Sequence, residues 1–149
     1  MLSSRVVLRG LQLAAFASLL AAPACGKSTE AEDEPSTVSI RLTFGNATPV
    51  TFGPSGGSVH IPVGTTSVKA EWLTAAGTID PVATTANFTL RVTPSATSIT
   101  YAPSGSGNTF QGTLSVPAAV SNVKVDFALF HVAEGHEDFG PATITISAP

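Results

Sequence analysis

Val38, Ile40, Leu42 and Phe44 alternate with Ser39, Arg41 and Thr43, the period-two pattern of a strand with one buried face. The same alternation recurs along the chain. Val59, Ile61 and Val63 share a face, as do Val68, Ala70 and Trp72, then Phe88, Leu90 and Val92, then Ile99 and Tyr101. Phe110, Leu114 and Val116 follow, then Val123, Val125, Phe127 and Leu129, and finally Ile144 and Ile146, which makes eight candidate strands. Breakers stand between the runs: Gly53-Pro54-Ser55-Gly56-Gly57, Gly64-Thr65-Thr66, Ala75-Ala76-Gly77, the stretch 103–108 (PSGSGN) and Gly140-Pro141. After residue 36 no 3.6-residue periodicity outlasts a single turn, so the pattern predicts an all-β domain over 37–149, built as two packed antiparallel sheets. Alternation turns Trp72 and Tyr101 inward and leaves Phe130 and Phe139 as the outward aromatics. Nineteen threonines in the mature part suit a pleated, half-solvated surface.

Residues 1–24 are of another kind. Arg5 and Arg9 precede an apolar run from Leu11 to Ala22, and Ala22-Pro23-Ala24 closes it, the architecture of a secretory signal. The run is far short of the roughly 20 apolar residues that a spanning helix needs. Cys25, the single cysteine, comes directly after the small-residue site. The segment 26–36 (GKSTEAEDEPS) is polar and acidic, a composition that cannot bury enough apolar surface to order itself, and it reads as a tether.

The Ala22-Pro23-Ala24-Cys25 segment resembles the lipobox of bacterial lipoproteins, with Ala22 where that family prefers Leu. The resemblance implies that Cys25 is acylated, becomes the mature amino terminus and holds the protein to a membrane of the cell envelope. Ordinary A-x-A cleavage at the same bond is the alternative; it would release a secreted protein with one free thiol. The strand pattern of 37–149, with one inward Trp, resembles the immunoglobulin-like superfold, of seven to eight strands and here without the paired cysteines of antibody domains. That superfold hosts many unrelated roles, so it implies an architecture and no activity.

Composition narrows the partners. A net charge of −3, with only seven Lys and Arg among 149 residues, excludes a basic nucleic-acid surface. Blue-copper chemistry needs a Cys thiolate inside the folded domain, and the only cysteine precedes it. No G-x-S-x-G elbow accompanies His60, which falls on an outward strand position and reads as a surface histidine. Gly105 and Gly107 open no helix, so they make a loop and no phosphate cradle. Phe130 and Phe139 read as a core rim or interface patch before they read as a sugar platform.

The densest polar cluster is His131, Glu134, His136, Glu137 and Asp138, in FHVAEGHEDFGP between the last two strands. Imidazole and carboxylate together are transition-metal ligands, and His131, Glu134 and His136 are the candidate set. A solvated acidic hairpin tip turning at Gly135, with Glu137 and Asp138 as turn solvation on opposite faces, is the plainer reading, and a Ca²⁺ site is a third. The sequence therefore leads to a lipid-anchored, non-enzymatic binding or structural module of the envelope, without cofactor, and with an envelope protein or a glycan as partner. A metal-binding protein using residues 131–138 is the alternative.

Overall fold

The computed structural model describes residues 34–105 and 110–149. The signal-like segment, Cys25 and the tether up to residue 33 lie outside the described residues, as does Gly107. The chain divides into units 1–30 and 31–149, and the strands belong to the second.

The described residues form nine strands and no helix: β1 (Thr37–Phe44), β2 (Val50–Phe52), β3 (Gly57–His60), β4 (Gly64–Thr74), β5 (Phe88–Pro94), β6 (Thr100–Pro103), β7 (Gln111–Val116), β8 (Val120–His131) and β9 (His136–Ala148). β2 is the strand that the alternation does not reveal. Three residues are too few to show a period, and β2 exists through its pairing with β1, Leu42 opposite Val50 and Ile40 opposite Phe52.

One sheet runs β2-β1-β4-β7-β6 and is antiparallel throughout; the other runs β3-β9-β8-β5. The expectation of wholly antiparallel sheets fails at β3, which pairs parallel to β9 from Gly57 opposite Ile144 to His60 opposite Ser147. The turn after β2 carries the chain from one sheet to the edge of the other, so β3 arrives running with β9. Gly56 sits in that crossing at φ +69°, where a Cβ would collide with the Thr143 carbonyl oxygen, so only glycine fits.

The two sheets share one core. Ile40, Leu42, Trp72, Leu114 and Val116 of the first sheet and Phe88, Val125, Phe127, Leu129, Ile144 and Ile146 of the second belong to one buried cluster. Phe44 meets Phe127 across the gap edge to face, centroids 6.4 Å apart. Trp72 is buried as the pattern requires.

Four face assignments change. Val38 is 46% exposed because a bulge between Thr37 and Ser39 breaks the alternation there, and Val63 is exposed just before β4 begins. Tyr101 is only half-buried, lying over the bare Cα of Gly112 on the neighbouring strand. Phe139 is the larger correction. Extra residues in β9 shift the register on either side of it and bring it opposite Leu129, and it turns inward against Trp72, centroids 5.7 Å apart, with 6% of its surface exposed.

Three charged side chains meet on the outer face of the first sheet. Glu71 accepts from Arg41 Nε at 2.7 Å and from Lys69 Nζ at 2.8 Å, and these two cations hold its carboxyl below the usual carboxylate value.

Candidate functional site

The hairpin joining β8 to β9 brings the candidate ligands together. His131 is the last residue of β8 and His136 the first of β9, and they stand opposite each other as the final pair of the ladder. Between them the chain turns through 132–135, with Gly135 at φ +76° donating its N–H to the His131 carbonyl at 2.9 Å. Val132 donates its N–H to the Asn87 carbonyl at 2.8 Å, which ties the tip to the segment entering β5. The turn at Gly135 is therefore as the sequence implies.

His131 does not face solvent. It continues the inward series of Phe127 and Leu129, is 2% exposed, and stacks on Phe88 with ring centroids 4.6 Å apart and planes 33° from parallel. His136 is half-exposed, its ring 5.8 Å from that of His131. Glu134 Oε2 lies 3.6 Å from His131 Nδ1 and 3.3 Å from His136 Nδ1. All three candidate residues thus meet, with one possible ligand atom from each within 4.8 Å of the others.

Asp138 joins them, against the reading of it as turn solvation. Asp138 is the extra residue of a bulge in β9, between Glu137 opposite Phe130 and Phe139 opposite Leu129, and the bulge sets its side chain beside the histidines. Its side chain is 4% exposed; Oδ1 lies 2.5 Å from His136 Nε2 and Oδ2 lies 3.5 Å from His131 Nδ1. No local period marks it, because a count that turns Asp138 inward would turn Phe139 outward, and both are enclosed. Glu137, opposite the outward Phe130, takes the other face and pairs with Arg91 at 3.4 Å. Arg91 also lies 3.5 Å over the ring of Phe130, so this outward phenylalanine is covered by a guanidinium.

Two carboxylates face two imidazoles at this end of the domain, and the nearest described arginine is engaged on the other face. His60 takes no part: it pairs with Ser147 at the far end of β9.

The same end receives the start of the domain. Thr37 opens β1 opposite Thr74, and the Ser36 and Thr37 hydroxyls donate to Asp80 Oδ2 at 3.3 and 3.0 Å. Asp80 is buried, and its N–H donates to the carbonyl of Trp72, the residue that packs on Phe139. No family model, curated protein or solved structure matches the chain.

Proposed function

We propose that this protein is a lipid-anchored module of the bacterial cell envelope that binds a ligand and does not transform it, its two sheets forming a sandwich of immunoglobulin-like type. The observation that carries the reading is the order of the chain: a basic start, a short apolar run, a single cysteine behind small residues, a polar acidic stretch, and then a strand-forming domain. The rigid sheets support this by giving the 131–138 hairpin a fixed frame, which is how loops on a sandwich become recognition surfaces. The working end of the module is then the one that carries His131, His136 and Asp138.

The test is incorporation of a clickable palmitate analogue in an exporting bacterial host, with membrane fractionation in parallel. Wild type takes up the label and sediments with membranes, since two or more acyl chains anchor stably where one is marginal. Cys25→Ser takes up none and loses the processed, membrane-held form. A processed wild-type protein that carries no label and stays soluble overturns the anchor in favour of plain secretion.

A further inference from the structure

We infer that His131 Nδ1, His136 Nδ1 and Glu134 Oε2 form a three-ligand site for a divalent transition ion of the Zn²⁺ class, with Asp138 as the residue that positions His136. The proposal rests on the hairpin end being the binding end, and is independent of the lipid anchor.

Distance is the first argument. Zn²⁺ bonds to histidine nitrogen and carboxylate oxygen are about 2.0–2.2 Å, and in a tetrahedron of that size neighbouring ligand atoms stand about 3.3–3.5 Å apart. Glu134 Oε2 is 3.3 Å from one imidazole nitrogen and 3.6 Å from the other. Both imidazoles thus stand near the required spacing from the Glu134 carboxylate, and all three donors lie within 4.8 Å of one another.

Tautomer is the second argument. A histidine that binds through one ring nitrogen holds its proton on the other, and a carboxylate accepting that proton fixes the ring. Asp138 Oδ1 stands 2.5 Å from His136 Nε2, which assigns the proton to Nε2 and leaves the Nδ1 lone pair facing Glu134. This is the geometry that a carboxylate–histidine–metal arrangement requires.

Burial is the third, independent of the cluster's composition. Asp138 is 4% exposed, and its Oδ2 receives no hydrogen bond although it is shielded from water and only 3.5 Å from His131 Nδ1. An inward carboxylate so enclosed costs free energy unless positive charge is placed near it. A divalent ion between the imidazoles supplies that charge. His131, fixed by its stack on Phe88, is the rigid side of the site; Glu134 and His136, both on or beside the turn, are the side that closes.

Donor type selects the ion. Two imidazole nitrogens with one carboxylate suit Zn²⁺, Cu²⁺ or Ni²⁺, whereas Ca²⁺ and Mg²⁺ take six or more oxygens. Three protein ligands leave a fourth position for water or for a donor from a bound partner.

The test is calorimetric titration of chelator-treated full-length chain in detergent with Zn²⁺, then with Ca²⁺ and Mg²⁺, and with Co²⁺ as a visible-absorption probe. Wild type is expected to bind one Zn²⁺ with micromolar or tighter affinity, to melt several degrees higher in excess Zn²⁺, and to ignore Ca²⁺ and Mg²⁺. Bound Co²⁺ should show the intense visible band of a tetrahedral site. His136→Ala and Glu134→Gln each lower Zn²⁺ affinity at least about 100-fold. Asp138→Asn keeps the stoichiometry and loses about 10- to 100-fold, as removal of a ligand-orienting partner does. Glu137→Gln, on the other face, leaves affinity unchanged. Circular dichroism confirms that each variant folds, and the half-exposed His136 is the variant least able to disturb the core. Absence of saturable Zn²⁺ binding by folded wild type overturns the site, as does equal binding by His136→Ala. Palmitate labelling with no zinc binding overturns the metal alone, and zinc binding without labelling overturns the anchor alone.

Discussion

Phe139 decides whether the hairpin strand is read correctly, because alternation counted back from Ile144 and Ile146 sends it outward and the structure sends it inward. Its ring is 6% exposed and meets Trp72 edge to face at 5.7 Å. A buried aromatic removes roughly 150–250 Å² from water, about 4–6 kcal/mol at 25 cal/mol per Å². An alanine keeps part of that, so Phe139→Ala is expected to cost about 3–5 kcal/mol, in line with other core aromatic truncations. Against a total domain stability of about 5–15 kcal/mol this is a large share. With a urea slope of about 1–3 kcal/mol per M, the unfolding midpoint falls by more than about 1 M. Trp72 is the only tryptophan, so its fluorescence reports unfolding of wild type and Phe139→Ala alike. Trp72→Ala, followed by circular dichroism, is expected to cost a similar amount, and the double variant less than the sum by about 0.5–1.5 kcal/mol for the lost ring pair. A Phe139→Ala cost below about 1 kcal/mol, the range of an exposed side chain, refutes the inward assignment and with it the β8–β9 register that places Asp138 beside the histidines.

Two further outcomes test the first sheet. Gly112→Ala puts a Cβ against the Tyr101 ring and 2.5 Å from the Ala102 carbonyl, so it should destabilise by about 1–3 kcal/mol; thermal melts of Gly112→Ala in the Tyr101→Ala background should show part of the loss restored. Glu71 is held below its ordinary value of 4.5 by Arg41 and Lys69, so its contribution is complete above about pH 4.5 and disappears as pH falls through the lowered value. Glu71→Gln should therefore cost up to about 1 kcal/mol near neutrality, less in high salt, and its melting midpoint should fall less steeply in acid than that of wild type.

Most of the core was legible because period two is a strong signal wherever strands are regular. Ile40, Leu42, Trp72, Leu114, Phe127 and Ile146 all face in as alternation requires. The misreadings sit where regularity breaks. A bulge turns Val38 out, and extra residues in β9 turn Phe139 in, and neither leaves a mark in composition. Parallel pairing of β3 was also hidden, since alternation fixes a strand's faces and not its neighbour's direction. At the site, His131, Glu134 and His136 were visible as residue types on a hairpin. The place of Asp138 depends on a bulge in β9 between Glu137 and Phe139, which alternation does not show. His131's burial against Phe88 depends on a β5–β8 register that no local pattern encodes.

The parallel contact of β3 with β9 has a consequence for the order in which the chain acquires structure. β9 lies between β3 and β8, so the second sheet has no centre until the final strand is present. Its partners Gly57 and Ile144 are separated by most of the domain's sequence, and pairings of that kind form slowly because a long loop must close first. Strands β1 and β4 have all their mutual contacts within the first part of the domain and form early by comparison. On the proposed export route, a chain whose β9 is still in transit lacks the strand that joins β3 to β8.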